Sequence, residues 1–543
     1  MEQYVCDVLV VGGGAAACRA AYEAKKLHPD LKVLMAVAGV LGTSGSTNLI
    51  ASESLGINAP FDFMKDGDSP DVYYQDMIET GGGLSDPELC RIMADEACER
   101  IKELIDLGVK FDQAGGHPIQ RKLSGCTKAR SLTCGGSTGR EIVSVLRKEL
   151  IRLGVEIIEN VRVFDLIQDD QGHVCGAIAF SKRTPIYLDA KAVVLATGGA
   201  GRIFRHHVNP PFQEGDGWCM AYRAGARLIN MEFFQIGPAV FKPNIQFIIH
   251  SHMWRLQPRL TNRLGEEFLP RYCPAGVNPE EVMDRKAMSY PFSVRTVARY
   301  LDIALFKEVE EGRGTAAGGV YFDVTHHAKG VLEERAPITY RTLKQAGADL
   351  SKEKIEIGMV VQNFNGGILI DGHGFTGVEG LYAAGEVTGG VHGADRPGGN
   401  NLADTQVFGY RAGRASAEHA VEVGPPRMRI DTPEHSEAER SSEEDVAVIE
   451  ASAALYSSNL TIIRTKKRLE GILQFIDFYR GHPNRFVQSR LMLGEILATA
   501  ALTREESRGT HYREDFPQKD PAWAKRVVIS RGHHGNPEAE ILA

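Results

Sequence analysis

The feature that most constrains this chain lies at its beginning. Residues 5–11 are a short apolar run rich in β-branched side chains, and it leads directly into Gly12-Gly13-Gly14-Ala15-Ala16-Ala17. The pattern predicts a buried strand over 5–11, a helix over 18–27 and a second buried strand over 32–37. Strand, glycine turn and helix make the first half of a dinucleotide-binding βαβ unit. The turn fits G-x-G-x-x-A, in which Gly12 permits the tight turn, Gly14 lets backbone approach a pyrophosphate, and Ala17 allows close helix–strand packing. The helix N-terminus then faces the phosphate charge. A carboxylate normally ends the second strand and holds ribose hydroxyls, yet residues 33–38 read VLMAVA and supply none.

Glycine marks the other places where bare backbone must approach something. The chain of 543 residues holds 58 glycines, about 11% against a typical ~7%. A second apolar strand, 192–196, ends in Thr197-Gly198-Gly199-Ala200-Gly201, and 14 glycines crowd the 48 positions of 366–413. That stretch predicts a hairpin-like pair, a strand over 381–384, Gly385-Glu386, a loop, and a helix from about Asn401. Residues 155–167 and 173–180 read as paired antiparallel strands. Beyond Glu232 the chain turns more polar and basic, which places an inserted second domain through about residue 360. Residues 425–442 read as a charge-rich linker, and 443–502 as helical.

Composition narrows the function classes. Apolar residues make up 43% and charged residues 24%, with a formal net charge of −8. This balance argues against a nucleic-acid footprint and against attraction to anionic membranes. No apolar run approaches the ~18–20 residues of a membrane span, so no direct membrane insertion is expected. Nine cysteines show no Cys-x-x-Cys spacing, and they read as reduced thiols in a cytoplasmic protein that binds no metal. The paired histidines 206–207 and 533–534 lack ligands at metal-site spacing, and read as solvated loops.

Seven segments taken together, the N-terminal glycine turn, ATGGAGRIF, GDGWCMAYRAGARLINMEFFQ, LTNRLGEEF, GLYAAGEV, VHGADRPGGNNLADTQVFGYRAG and ESRGTHYREDFP, resemble in order the succinate dehydrogenase and fumarate reductase flavoprotein subunits. L-aspartate oxidase and the adenylylsulfate reductase flavoprotein belong to the same superfamily. The resemblance implies an α/β fold: a Rossmann-like FAD-binding domain (1–236 and 360–424), an inserted α+β capping domain (237–359), and a C-terminal helical domain and tail (425–543). It also implies FAD, with substrate held between flavin ring and cap.

Carried over by motif, Gly12, Gly14, Ala15, Ala16 and Ala17 fall at the pyrophosphate. Thr197, Gly198 and Gly199 fall along the adenosine side, and Asp216 and Glu386 are the flavin-contacting acids. Asn400, Asn401 and Leu402 present a helix N-terminus to the pyrimidine end of the flavin, where its positive dipole end favours the reduced form. Gly42, Thr43, Ser44, Ser46 and Thr47 cover the segment in which many relatives attach FAD through a histidine. None is present here, which implies noncovalent FAD.

The catalytic pattern departs from the dicarboxylate-handling relatives, which surround substrate with two histidines, two arginines and a Thr-Glu pair. Arg295 aligns with the proton-shuttling arginine and Arg396 with the carboxylate-binding one. The first histidine becomes Gly237, after Gln235, and the second becomes Gln362, beside Asn363. The Thr-Glu pair and its following arginine align with His250-Ser251 and Trp254, or, with one residue gapped, His252 and Arg255 take the places of the glutamate and arginine. Gly237 and Gln362 suggest room for a substrate bulkier than a four-carbon diacid. His392 could position Arg396. His117 and Arg121 border the flavin in relatives, whereas Arg508 and His511 belong to domain docking.

These residues imply hydride transfer between flavin and a C–C bond of an anionic substrate other than simple fumarate or succinate. Two alternatives stay open: a flavoprotein subunit of an electron-relay or adenylylsulfate-reductase-like complex, working on sulfur chemistry or with a ferredoxin-like or iron–sulfur partner, and a flavin-binding scaffold without catalysis.

Overall fold

A computed structural model of the chain describes residues 2–49, 55–182, 184–245, 247–424 and 442–542. At its centre lies a five-stranded parallel sheet in the order Leu381–Ala383, Ala192–Leu195, Val8–Val11, Val33–Val37, Glu156–Glu159. Val8–Val11 and Ala192–Leu195 are buried along their whole length, as strands covered on both faces must be. The continuous strand expected over 5–11 is in fact two. Glu2–Val5 pairs parallel with Thr184–Asp189 in a separate four-stranded sheet. The chain crosses over at Asp7, whose carboxylate accepts the Lys32 amide at 2.7 Å and pairs with Lys191 at 2.9 Å. The segment 155–167 divides likewise: Glu156–Glu159 joins the parallel sheet, and Asn160, at φ +58°, turns the chain so that Val161–Gln168 pairs antiparallel with Val174–Ser181. Asparagine tolerates that left-handed conformation better than most residues.

The first helix, Ala15–Leu27, begins three residues before the expected start and crosses the long helix Asn400–Glu422 at close range. Small residues permit the crossing. A Cβ on Gly413 would sit 2.3 Å from the Ala20 carbonyl oxygen, and one on Gly409 would sit 3.0 Å from that of Ala16.

The inserted segment builds its own core around Trp254, Phe322, Leu301 and Val320, on a four-stranded antiparallel sheet ordered Phe234–Lys242, Ile355–Phe364, Val320–Asp323, Arg259–Thr261. Phe234–Lys242 and Ile355–Phe364 carry the chain into and out of this cap as one paired ribbon.

Three helices, Glu443–Asn459, Lys466–Phe478 and Arg485–Thr503, occupy the C-terminal region. The expected linker falls almost wholly outside the described residues, apart from Ser442, which caps the first of these helices in a reciprocal capping box with Asp445. The tail is not helical: Arg526–Arg531 and Pro537–Leu542 form a hairpin that joins Leu228–Ile229 of the main body. Charge also docks this region. Arg504 Nε donates to Glu232 at 2.7 Å, both Arg504 and Arg508 donate to Glu506 at 2.9 and 2.6 Å, and Arg508 reaches the Gly82 carbonyl at 2.6 Å. Arg464, in the same cluster, donates to the Glu232 carbonyl at 2.7 Å and meets His511. Arg508 and His511 are thus docking residues.

Glu506 is fully buried between two buried guanidinium groups. Its replacement leaves uncompensated charge, so Glu506→Ala is expected to destabilise the fold by about 3–5 kcal/mol. A denaturant midpoint equal to that of the parent chain would contradict this assignment.

Candidate active site

A cavity of about 1050 Å³ opens at the carboxyl ends of the parallel strands and extends beneath the cap. Ligands in open α/β sheets bind at this edge, and the volume lies at the upper end of the ~300–1,000 Å³ usual for small-molecule sites. Its floor is the glycine turn. Gly12 has φ +134°, and a Cβ there would meet the Ala196 carbonyl oxygen at 2.2 Å. Gly14, Ala15 and Ala16 present the start of the first helix to the cavity, with Thr47 Oγ1 accepting the Ala15 amide at 3.4 Å. Ala17 lies behind them, packed 3.5 Å from the Gly12 Cβ position, and its role is the helix–strand contact.

Along the same wall, Ser46 donates to Gln213 at 2.8 Å, with Ser44 and Thr197–Gly198 alongside. Asp216 also faces the cavity, but Arg162 holds both its oxygens at 2.7 and 2.9 Å. Gly42 and Thr43 stand outside the wall, and so does Gly199, whose Cβ position is 2.5 Å from Glu386 Oε1. Glu159, the acid beside the end of the second strand, is engaged by the Leu41 amide at 2.9 Å.

The second helix N-terminus, Asn400–Glu422, opens onto the far end of the cavity through Asn401 and Leu402. Its first-turn amides have no intrahelical acceptor. Asn401 donates to Asn363 Oδ1 at 2.6 Å. Asn400 departs from expectation: its side chain turns away and accepts from Asn58 at 2.7 Å and from Tyr73 at 2.9 Å. It fixes the helix start rather than the ligand.

Arg396 is the cation at this inner end. Nη2 donates to Gln235 Oε1 at 2.7 Å, Gln235 in turn donates to Asp395 at 3.3 Å, and the Arg396 amide caps Asp395 at 2.8 Å. Nε of Arg396 and Oγ1 of Thr197 are buried and have no hydrogen-bond partner among the described residues. Both belong to cavity-lining side chains. Buried groups of this kind call for a ligand. Glu386 completes the inner wall. Burial pushes its carboxyl up to about 7, against the opposing influence of the Phe364 amide at 3.2 Å and of the Arg396 charge. Polar orphans, two open helix ends and a bare-backbone turn in one elongated cavity fit a dinucleotide with a ring system at its inner end.

The structure redistributes several expected substrate residues. His250, His252 and Arg255 all face the cavity, whereas Trp254 belongs to the cap core. The two imidazoles lie 6.4 Å apart, and His252 Nε2 is 2.9 Å from Thr339 Oγ1. Burial holds His250 down to about 3, so it is neutral at working pH. Arg295 is not on the wall. Its side chain is 39% exposed and, among the described residues, pairs with Asp395 alone, at 3.8 Å. His392 is also off the wall, buried 3.0 Å from Asp404, and His117 stacks on Phe63 at the surface, while Arg121 does line the cavity. His206 stacks on Phe241 and His207 accepts the Asn209 amide at 3.2 Å, so neither is a solvated loop residue.

Gly237 does not leave open space. A Cβ there would meet the Tyr290 hydroxyl and Gln362 Nε2, each at 2.6 Å. Tyr290, which sequence reasoning missed, fills the volume: its hydroxyl accepts from Gln362, lies 3.4 Å from the Pro238 carbonyl, and its ring is 5.3 Å from His250. Burial raises the phenol, which therefore stays protonated. A glycine where relatives carry a bulky side chain implies a filler, but no periodicity says which residue supplies it.

The fold and cavity define a dinucleotide-binding flavoprotein with a capped substrate site, and the comparisons agree. Residues 7–402 match the family model described as FAD binding domain, and residues 485–541 match Fumarate reductase flavoprotein C-term. The chain belongs to this FAD-dependent fumarate reductase/succinate dehydrogenase flavoprotein family and is a flavin-dependent oxidoreductase. It is 36% identical to a subunit of the fumarate reductase (CoM/CoB) of Methanothermobacter marburgensis, covering 98% of each chain. It is 30% identical to L-aspartate oxidase of Yersinia pestis, covering 95% of this chain and 97% of that one. Among solved structures, Mycobacterium smegmatis Sdh1 in complex with UQ1 superposes with a TM-score of 0.85 at 27% identity, over 100% of this chain and 94% of that one. Among the described residues no helix is long and apolar enough to cross a membrane.

Glu386 gives a pH test. Its folded value of about 7 lies above the ordinary 4.5, so between these values the folded state binds the proton that the unfolded state has released. Stability of the flavin-free protein is therefore expected to fall as pH rises from 4.5 to 7, by at most about 1.4 kcal/mol per unit from this group. Glu386→Gln should lack that component, and parallel stability profiles of the two proteins would contradict the assignment.

Proposed function

We propose that the chain binds FAD noncovalently and transfers hydride between the flavin and a C–C bond of an anionic substrate, with Arg396 as the anion clamp. The observation that carries this reading is the buried Arg396 guanidinium on the cavity lining, held by Gln235 with the Asp395 carboxylate behind it, whose Nε is buried and has no hydrogen-bond partner among the described residues. When bound, flavin supplies the hydride exchange. The protein's part is to bind, orient and move a proton. An arginine fork engages a carboxylate bidentately, and its charge stabilises negative charge that develops on the substrate as the hydride moves.

Arg295 stands outside the cavity, supporting Asp395 from the solvent side, so the proton step is assigned to Tyr290. Tyr290 lines the cavity, its phenol is protonated, and its hydroxyl accepts from Gln362 and donates to the Pro238 carbonyl at 3.4 Å. Neutral His250 and the His252–Thr339 pair complete the cap wall as hydrogen-bonding groups rather than as cations. The pair of histidines that relatives place around a diacid is replaced by Tyr290 and Gln362, which favours an anionic enoate recognised in another way. Similarity to a fumarate reductase and to an L-aspartate oxidase puts four-carbon dicarboxylates in any screen. The fumarate reductase relative is one chain of a multi-chain enzyme, which also supports an iron–sulfur or ferredoxin-like electron partner.

Noncovalent attachment predicts that acid precipitation of the protein leaves all its FAD in the supernatant; flavin retained in the pellet would contradict it. For the reaction, anaerobically reduced enzyme should be reoxidised by at least one enoate. Arg396→Gln should lower kcat/KM for that substrate about 100-fold or more, because a buried carboxylate loses its charged partner. Tyr290→Phe should lower kcat by roughly 10²-fold or more with flavin retained. Reoxidation by electron-transfer proteins alone, and by no enoate, would sink the C–C reading.

A further inference from the structure

Three arginines remain that the chemistry above does not use. Arg255 follows the cap helix Ser251–Trp254, Arg285 lies in Pro279–Lys286, and Arg335 ends Lys329–Arg335. They come from three separate helices and border the same cavity. Two contacts bring the helices together. Gln257 donates to Asp284 at 2.7 Å, joining the chain just past Arg255 to the residue before Arg285. His252 meets Thr339 at 2.9 Å, joining the first of these helices to the one that starts two residues after Arg335.

None of the three guanidinium groups forms a hydrogen bond or ion pair with another described residue, and each is exposed. Two other cap arginines, Arg313 and Arg271, are by contrast paired, both engaging Glu308, at 2.8 and 3.2 Å. Glu334 also lines this stretch, so three positive charges face one negative. The chain as a whole carries a net charge of −8, and a local excess of unpaired cations is therefore a departure from its average surface. Such a patch over a cavity mouth raises the local concentration of anions, and guanidinium forks suit carboxylate, sulfonate and phosphate oxygens.

We propose that Arg255, Arg285 and Arg335 form a second anion subsite at the cap end of the cavity, which takes an anionic group at the far end of a substrate whose near carboxylate lies on Arg396. The inference rests on the proposed clamp role of Arg396 and names the substrate class that follows: an elongated enoate with a carboxylate, sulfonate or phosphonate at its distal end. The subsite makes length, rather than bulk beside Gly237, the source of discrimination against a short diacid.

The test uses the FAD-loaded full chain. The oxidised flavin spectrum is titrated with crotonate, which has one carboxylate, and with trans,trans-muconate, 4-sulfocrotonate and 4-phosphonocrotonate, which carry a second anion of different kinds. At least one dianion is expected to bind tenfold or more tightly than crotonate, an advantage that shrinks as salt is raised. In the triple variant Arg255→Gln, Arg285→Gln, Arg335→Gln the ratio of dianion to crotonate affinity should fall to about one. Absence of the advantage in the parent protein, or its survival in the triple variant, would overturn the proposal. Failure of the oxidoreductase reading would show separately, as tight dianion binding to a flavin that no enoate reoxidises.

Discussion

The contact on which the rest depends is the crossing of the helices Ala15–Leu27 and Asn400–Glu422. Gly409 and Gly413 bring the backbone of the second against Ala16 and Ala20 of the first, where a Cβ on Gly413 would sit 2.3 Å from the Ala20 carbonyl oxygen and one on Gly409 3.0 Å from that of Ala16. Nearly four hundred residues separate the two helices in sequence, yet their N-termini open onto one cavity. Each terminus offers amides without intrahelical acceptors and a partial positive charge. One suits a pyrophosphate and the other the electron-rich end of a flavin. The parallel sheet supplies the same cavity with bare backbone, at Gly12 against Ala196.

The cap adds what a dinucleotide fold lacks. It encloses the inner end of the cavity, where Arg396 is surrounded by Glu386, Asp395 and Gln235 and where Tyr290 occupies the volume beside Gly237. Burial weakens every charge there, pulling Arg396 down and pushing Asp395 and Glu386 up. Mutual attraction and hydrogen bonds offset that cost. An anionic ligand on Arg396 would add to that offset, so binding and electrostatic relief share one origin.

Much of this was legible in the sequence because glycine requirements are local. A strand entering G-x-G-x-x-A, a second strand entering Thr-Gly-Gly, and a glycine-dense segment before a helix each state a backbone need without reference to the rest of the fold. Reading side-chain direction was harder. Asn400 and Asn401 are adjacent, but one fixes the helix and the other faces the cavity, a distinction set by helix phase and by Asn58 and Tyr73. Arg295 carries a motif position but not the geometry, because its neighbour Asp395 takes the buried place. Gly237 read as space, whereas Tyr290 closes it from 53 residues away in sequence. Even the strand at residues 5–11 was split by Asp7, whose bonds to Lys32 and Lys191 involve partners that periodicity does not see.

We propose that FAD lies along the carboxyl edge of the parallel sheet with substrate between its ring and the cap. A crystal structure of the protein with FAD and an unreactive saturated carboxylate tests it most directly. Carboxylate density is expected on Arg396, within hydrogen-bonding distance of the Tyr290 hydroxyl and above the flavin ring. Ligand density on the opposite face of the ring, or a carboxylate held away from Arg396, would contradict it.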